Sequence, residues 1–553
     1  MGSLTFNIAS SHLAVVGLLL LLAIAILFLR SNDAKQPLQL EDKIPYVTNT
    51  IQYLTNAGKF IDRVKKKLEE ANCDIIRFNV GLIPAYVVTG PDNVRRLFNS
   101  PSTLDGNFLQ LLLMDKHWGM HHHEIAKFAN DKTGRGKTRA PGTEQVPESK
   151  RYWLGHDRLY VDYLANRQYS DALADVFHRT FLQQLDTLPA GWSTLKLFEM
   201  LKKSMATSAI TSLFGTRIFD LNPGFIDLYW QFDDIAGHLV WGLPNLFQRR
   251  SVSIKDKLHS MTLNYVDSAW EEFDWDGLES ETPWEPQFGS RLCRETAKWF
   301  RENGFSNHAT AGHAVGALFG LNGNTIPITT WIMMHAIQDP VLFGALRKEA
   351  LSVYESDSQT GERHLNTQKL ISLPLMQSVY VEAMRVHVSF NVTRQATQPL
   401  MIGGHAIEKG ALVQACSKIA HFEESVWGME GHPASEFWAW RHVKSVETVD
   451  QSTGKVAHED QFAMKGRPSS FFPYGAGYVM CPGRFFAKQE ILLAVAILVA
   501  NFEIEFEQWT NEHGSKSARP AQDDGRYAAF IAMHPDRDMT VRWRRSENIA
   551  KED

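Results

Sequence analysis

Cys481 is the residue best placed for chemistry, because it follows a glycine-rich turn and precedes a long apolar run. The run from Pro482 to about Ala500 predicts a helix, and proline is favoured in the first helical turn. A thiol at a helix start faces free backbone N–H groups, which lower its pKa and favour the thiolate that binds metal. A cysteine without a CxxC partner is a poor zinc site but a workable axial ligand for haem iron. The alternative is a buried structural cysteine.

The stretch around this cysteine, FFPYGAGYVMCPGRFFAKQE at 471–490, resembles the haem-binding loop of the cytochrome P450 superfamily. The positions that match the superfamily pattern are Tyr474, Gly477, Cys481 and Gly483, with tyrosine in place of phenylalanine. Val479 replaces the usual basic residue, so one haem-propionate contact is missing. The variant is most similar to the branch of the sterol 7-alpha-hydroxylases and prostacyclin synthase. The resemblance implies haem (heme b, iron protoporphyrin IX) as cofactor, with Cys481 as the metal ligand.

A second long apolar run, at 306–338, predicts a helix with two breakers in its middle, Gly323 and Pro327. Because proline lacks an N–H group and clashes with the carbonyl four residues earlier, the Gly323 carbonyl loses its helical partner. A kink at this point would create polar space for water or bound oxygen. Asn324 and Thr325 lie beside that opening.

In P450s the matching position carries an acid–alcohol pair that supplies protons during oxygen activation. Here Thr325 supplies the alcohol, while Asn324 replaces the acid. An amide does not exchange protons as a carboxylic acid does, so we expect a relay through Thr325 and ordered water. Prostacyclin synthase, an isomerase, lacks the threonine, so Thr325 favours monooxygenation.

Three charged residues are predicted to support the haem-side core. Glu382 and Arg385 are three residues apart on a predicted helix, so both side chains lie on one face. They resemble the Glu-x-x-Arg motif of the superfamily, and Arg441 in FWAWR resembles its second arginine. We expect a structural ion-pair cluster. Arg394 aligns with an arginine that commonly meets a haem propionate, and the alternative for it is a surface arginine.

The N-terminal region contains a continuous apolar run at 13–29, near the lower limit for crossing a bilayer of ~30 Å. It has no charge before it, and Arg30 and Lys35 follow it, which predicts a cytosolic location for the downstream chain. We therefore expect an uncleaved anchor in the endoplasmic reticulum membrane. The predicted organisation is a membrane anchor at 1–30, a linker at 31–67 and a haem-thiolate catalytic domain at 68–553.

The composition excludes several classes of protein. With 57 basic and 62 acidic residues the net charge is −5, so nothing indicates a nucleic-acid partner. The four scattered cysteines argue against a disulfide framework and for a reducing compartment.

Alternation at 74–89 predicts a β-hairpin, and 152–300 is mostly helical by periodicity. The expected fold class is α+β, mostly helical: a P450 fold with a small β-rich lobe and an N-terminal transmembrane helix.

The functional expectation is a membrane-anchored haem-thiolate monooxygenase that inserts one oxygen atom from O2 into a bulky apolar substrate. The branch resemblance favours a sterol, terpenoid or other secondary metabolite, as in fungal secondary-metabolite members. Because no flavin or nicotinamide domain is evident, electrons are expected from NADPH through NADPH–cytochrome P450 reductase as a separate partner. Two alternatives stay open: a haem-thiolate isomerase or dehydratase that acts without reductase, and a non-catalytic haem- or lipid-binding membrane protein.

Overall fold

The computed structural model describes residues 36–241, 248–356, 363–449, 456–464 and 466–546. The predicted anchor at 1–30 lies outside these residues, as does the first part of the predicted linker. Among the residues that are described, no helix combines the length and the apolar character that a bilayer crossing requires.

Helices make up most of the described chain. In order they are α1 (Thr48–Thr55), α2 (Ala57–Ala71), α3 (Pro91–Asn99), α4 (Asn107–Lys116), α5 (His122–Asn130), α6 (Tyr152–Tyr163), α7 (Arg167–Asp186), α8 (Leu197–Phe214), α9 (Arg217–Leu221), α10 (Phe225–Trp241), α11 (Arg249–Glu272), α12 (Arg291–Glu302), α13 (Asn307–Gln338), α14 (Pro340–Leu351), α15 (Thr367–Leu370), α16 (Pro374–His387), α17 (Ser417–Ala420), α18 (Glu424–Trp427) and α19 (Arg484–Asn501).

The strands are short, and most of those in the described chain lie between residues 354 and 545. They are β1 (Leu38–Gln39), β2 (Ile75–Val80), β3 (Ile83–Val88), β4 (Leu104–Asp105), β5 (Ser193–Lys196), β6 (Trp284–Glu285), β7 (Gly289–Ser290), β8 (Tyr354–Ser356), β9 (Arg363–Leu365), β10 (Asn391–Ala396), β11 (Leu400–Ile402), β12 (His405–Ile407), β13 (Leu412–Cys416), β14 (Val443–Val449), β15 (Val456–Phe462), β16 (Phe502–Thr510), β17 (Lys516–Ser517) and β18 (Asp538–Arg545).

The largest sheet has six strands in the order β1-β2-β3-β13-β10-β4 and forms the β-rich lobe. The predicted hairpin at 74–89 is present as β2 and β3, which pair antiparallel from Ile75 opposite Val88 to Val80 opposite Ile83. A second hairpin, formed by β11 and β12, is a separate two-stranded sheet. Positive φ angles of 53° and 82° at Gly403 and Gly404 close a tight turn between β11 and β12, and β13 joins the large sheet instead.

The helical core surrounds α19, in which every residue from Ile491 to Ala500 is buried. A helix buried on all sides has no need of a polar face, which accounts for its continuous apolar sequence. Helices α7, α13, α14 and α16 pack against it. The mostly helical α+β class predicted from the sequence is confirmed.

The long helix α13 confirms the prediction for 306–338. Its N-cap is Ser306, whose side chain accepts a hydrogen bond from the Ala309 N–H, and Pro327 lies inside it. The loop before α5 packs directly on its first half. A Cβ atom placed on Gly312 would lie 2.2 Å from the Trp118 carbonyl oxygen, so only glycine permits this approach.

Candidate active site

Cys481 lies in a tight loop that precedes α19. Its N–H donates to the Tyr474 carbonyl at 2.9 Å, which closes the loop. The predicted helix start at Pro482 is wrong, because Gly483 is the N-cap and α19 begins at Arg484. The cysteine is therefore two residues outside the helix cap.

The predicted glycines shape this loop. Gly475 and Gly477 have φ angles of 72° and 69°, which L side chains rarely adopt. At Gly477 a Cβ atom would lie only 2.3 Å from the Phe98 carbonyl oxygen. Gly477 thus lets the loop pack tightly against the end of α3.

The electrostatics at Cys481 differ from the sequence prediction of a lowered thiol pKa. Burial among protein atoms raises the pKa of the thiol, although the residue is solvent-accessible on one side. The N–H groups of Gly483 and Arg484 and the Arg484 guanidinium act in the expected direction, but burial outweighs them. A bound metal ion would supply the missing positive charge, since a coordinating thiol is deprotonated outright.

Arg394 is 3% exposed, so the alternative of a surface arginine is wrong. Its Nη2 donates to the carbonyl of Ala476 in the cysteine loop at 2.8 Å. No carboxylate pairs with it within the described ranges, and its Nε is without a hydrogen-bond partner there. A buried cation requires a compensating anion, and a haem propionate is such a group. The thiol and this cation together fit a haem.

Tyr474, the aromatic residue of the pattern, connects the loop to α16. Its hydroxyl lies 2.5 Å from that of Tyr380. Burial raises the pKa of Tyr474 well above its usual value, and the neighbouring Tyr380 hydroxyl adds to the shift. Both phenols are therefore neutral and form a fixed hydrogen-bonded pair.

The predicted cluster of Glu382, Arg385 and Arg441 is assembled and fully enclosed. Arg385 binds Glu382 bidentately at 2.8 and 2.7 Å, and Arg441 Nε donates to Oε1 of the same carboxylate at 2.8 Å. Burial acts to raise the pKa of Glu382, but the bonds and charges of the two arginines outweigh it and lower the pKa. The other guanidinium N–H groups donate to backbone carbonyls, at His421, Ala434 and Glu436 for Arg385 and at Trp427, His432, Pro433 and Glu436 for Arg441.

Thr325 meets a carboxyl group that the sequence reasoning missed, Glu490 of α19. The hydroxyl oxygen lies 2.7 Å from the Leu321 carbonyl oxygen and 3.1 Å from Oε1 of Glu490. Burial raises the pKa of Glu490 well above its usual value, against the opposing effect of the Thr325 bond. The Thr325 hydroxyl has a single proton to donate. If it donates this proton to the Leu321 carbonyl, a protonated Glu490 can donate to the hydroxyl oxygen.

One sequence signal could have identified Glu490. It is the last ionisable residue before the wholly apolar stretch at 491–500, and so it stands where a charge would be expensive to bury. An ionisable group in such a position is either paired or functional.

The carbonyl of Gly323, expected to lose its helical partner, lies 3.4 Å from the ring Nε2 of His534. Asn324 does not point into an open relay. Its Oδ1 accepts a hydrogen bond from the Ala532 N–H at 3.0 Å, and this bond ties the C-terminal segment to α13. The structure thus brings Thr325 to an acid, whereas Asn324 makes a structural contact.

The sequence is similar to those of known proteins. A family model described as Cytochrome P450 matches residues 38–521. The chain is 41% identical over 536 residues to the cytochrome P450 monooxygenase calL of Penicillium decumbens, covering 96% of this chain and 98% of that protein. It is 25% identical to the cytochrome P450 monooxygenase fsoE of Humicola fuscoatra, over 94% of this chain and 89% of that protein. The 25-hydroxycholesterol 7-alpha-hydroxylase of Rattus norvegicus is 23% identical over 67% of this chain and 82% of its own length.

The chain belongs to the cytochrome P450 family. It is an enzyme of the P450 monooxygenase type, and the family implies haem as its cofactor.

Proposed function

We propose that this monooxygenase inserts one oxygen atom from O2 into a bulky apolar substrate, a sterol, terpenoid or other secondary metabolite. Its electrons come from NADPH through NADPH–cytochrome P450 reductase. The observation that carries the proposal is the hydrogen-bonded pair of Thr325 and Glu490, 3.1 Å apart. An alcohol and a protonated acid in one hydrogen-bonded pair are what proton delivery during oxygen activation requires.

Each site residue has a distinct task in this proposal. Haem bound through Cys481 supplies the oxygen-activating chemistry. Arg394 would neutralise a haem propionate, and the cysteine loop would hold the Cys481 thiol in place as the metal ligand. Thr325 and Glu490 hold a proton at Oγ1 and Oε1. Glu382 with its two arginines fixes α16 against the segment at 434–441.

An apolar substrate is supported by the side chains that gather over α13. The rings of Phe232 and Phe319 lie 6.3 Å apart, and those of Phe319 and Phe530 lie 5.6 Å apart. His117 contacts all three rings. Burial lowers the pKa of His117 to about 4 against the opposing Ala236 carbonyl, so it is neutral at physiological pH. A wall of aromatic rings without charge suits a hydrocarbon skeleton.

The relatives support the same substrate class without identifying the compound. Several are fungal P450 monooxygenases, and one is named for 7-alpha-hydroxylation of 25-hydroxycholesterol. We also propose that residues 1–30 anchor the enzyme in the endoplasmic reticulum membrane, with the catalytic domain in the cytosol. Cell fractionation of the full chain and of a variant lacking 1–30 tests this, since only the full chain should sediment with the microsomes.

The decisive experiment supplies isotopic O2, NADPH and reductase together with an extract of candidate substrates. Incorporation of one labelled atom into a product supports the proposal. Turnover without NADPH or reductase would instead favour an isomerase. Spectra of the reduced carbon monoxide complex that lack the thiolate signature would favour a non-catalytic haem protein.

Thr325→Ala tests the role of the pair. We expect oxygen consumption to continue while product formation falls by about tenfold or more, since proton delivery by a positioned group contributes 10²–10⁴-fold. Thr325→Ser, which keeps the hydroxyl, should retain most of the coupling. Equal losses in both variants would indicate a packing role instead.

A further inference from the structure

The Thr325–Glu490 pair is enclosed, and both side chains are buried between α13 and α19. A proton that leaves this pair must therefore be replaced from solvent by another group. The position in α13 where P450s carry an acid is Asn324, and its amide oxygen is occupied by the Ala532 N–H. The long helix itself thus provides no carboxyl group at 323–325.

A carboxyl group reaches the same point of α13 from α10. Asp233 is buried, and a Cβ atom placed on Gly323 would lie 2.8 Å from its Oδ1. Oδ1 also accepts a hydrogen bond from the Tyr229 hydroxyl at 3.3 Å. Oδ2 has no hydrogen-bond partner among the described residues and lies 3.6 Å from Nε2 of His534.

His534 lies beside both this carboxyl group and α13. Its Nε2 faces two acceptors, the Gly323 carbonyl oxygen at 3.4 Å and Oδ2 of Asp233 at 3.6 Å. Because both neighbours accept, Nε2 carries the hydrogen. Burial lowers the pKa of His534 to about 3, helped by the charge of Lys202, so the ring is neutral. The His534 N–H group therefore contacts the Gly323 carbonyl oxygen and lies near Oδ2 of Asp233, which stays without a hydrogen-bond partner among the described residues.

Asp233 has the properties of a proton donor that works near neutral pH. Burial raises its pKa to about 7, and the charge of Asp234 adds to the rise, while Lys202 of α8 and the Tyr229 hydroxyl oppose it. A group that titrates at the working pH both gives and regains a proton readily. Its neighbours from the C-terminal segment, His534 and Tyr527, are neutral.

The residue that follows Asp233 reaches solvent. Asp234 is exposed, and it accepts a hydrogen bond from the Tyr527 hydroxyl at 2.9 Å. The Tyr527 ring stacks on His534 at 3.7 Å. The buried Asp233 is thus adjacent in sequence to an exposed acid, and the stacked rings of Tyr527 and His534 lie beside both acids. The segment at 527–534 lies beyond the end of the family match at residue 521, whereas Asp233 and Gly323 lie within it.

We propose that Asp233, which packs on α13 at Gly323, is the carboxyl group that resupplies protons to the Thr325–Glu490 pair, in place of the acid that α13 lacks. The inference rests on the proposed monooxygenase function. Asp233 exchanges its proton with solvent on the Asp234 side and passes it toward α13 beside His534. Asn324 holds the C-terminal segment in position.

The first test measures the carboxyl group itself. Infrared difference spectra of the purified full-length enzyme between pH 6 and pH 8 should contain a protonated-carboxyl band that titrates and is absent in Asp233→Asn. In Asp234→Asn the same band should titrate at lower pH, because the neighbouring charge that raises the pKa is removed. No titrating band, or a band that Asp234→Asn leaves unmoved, overturns the proposal even where Asp233→Asn does not fold.

The second test measures coupling. Asp233→Asn should lower product formed per O2 consumed by about tenfold and abolish the limb of the pH–rate profile near neutrality. Adding Asn324→Asp, which returns an acid to α13, should restore most of the coupling. The matched control is Asp227→Asn, an exposed acid on the same helix, which should behave as wild type.

Failure of the proposed function and failure of the proposed role of Asp233 give different results. If wild type incorporates no labelled oxygen, the proposed function fails, and the infrared titration still decides the state of Asp233. If wild type does incorporate oxygen but Asp233→Asn keeps its coupling and its pH limb, Asp233 is only a packing residue and the inference is wrong. Loss of coupling that Asn324→Asp does not restore leads to the same conclusion.

Discussion

Glu382→Gln removes the charge of a carboxylate that lies between two buried guanidinium groups. Oε1 accepts from Arg385, from Arg441 and from the Trp438 N–H, whereas Oε2 accepts from Arg385 Nε at 2.8 Å. A glutamine that keeps its oxygen at the Oε1 position must place an NH2 group against Arg385 Nε–H. In the variant, the amide NH2 group and the Arg385 Nε–H group are two donors that face each other. The two buried guanidinium groups also lose their counter-charge.

The expected cost follows from these contacts. Breaking a buried ion pair by changing one partner costs about 3–5 kcal/mol. Because one carboxylate serves both arginines here, we expect the loss in free energy of unfolding to fall in the upper half of that range. The total free energy of unfolding of a protein is on the order of 5–15 kcal/mol. Urea unfolding followed by far-ultraviolet circular dichroism, with haem content per protein as a second readout, measures it. The effect should exceed that of any exposed ion pair.

The matched control is Asp92→Asn, which breaks the exposed pair of Asp92 and Arg95 with its 3.0 Å contact. Surface pairs contribute little, so this variant should unfold as wild type does. If Glu382→Gln loses less than about 1 kcal/mol relative to the control, the cluster does not stabilise the core as argued.

The remaining predictions concern single positions. Asp233 has a folded pKa of about 7, above its usual 3.8, so its contribution to stability is present at low pH and is lost as pH rises through 7. Relative to Asp233→Asn, wild type should lose about 3 kcal/mol between pH 5 and pH 8, at 1.36 kcal/mol per pKa unit, and parallel pH profiles would contradict this. Gly312→Ala should cost about 1–3 kcal/mol because the added methyl group meets the Trp118 backbone, whereas Gly320→Ala, with nothing within 4 Å, should be neutral or stabilising. Cys481→Ser should lose the thiolate signature of the reduced carbon monoxide spectrum and all turnover. If the signature persists in this variant, Cys481 is not the ligand.

Patterns local in the sequence predicted much of the fold and part of the site. The cysteine loop, α13 and the Glu382–Arg385 spacing depend on neighbouring residues, and the structure places each where periodicity or spacing indicated. Thr325 and Glu490 are 165 residues apart, and Gly323 and His534 are 211 apart. No periodicity links such positions, so only the folded chain reveals these contacts.

The thiol pKa shows a second limit of sequence reasoning. The N–H groups near Cys481 act as predicted, but the sequence does not give the depth of burial that opposes them. Two effects of opposite sign can be ranked only when the structure shows how deeply the group is buried and which charges lie near it.

The C-terminal segment is bonded to the helices on either side of it. Ala532 donates to Asn324, the Met533 carbonyl accepts from Trp331 Nε1, and the Met533 N–H donates to the His387 carbonyl. Exchanging this segment with that of a relative to alter selectivity would therefore not be a modular graft. A chimera would therefore need the matching residues of α10, α13 and α16 as well. If the proposed role of Asp233 is correct, a chimera without them should consume O2 without forming the corresponding amount of product.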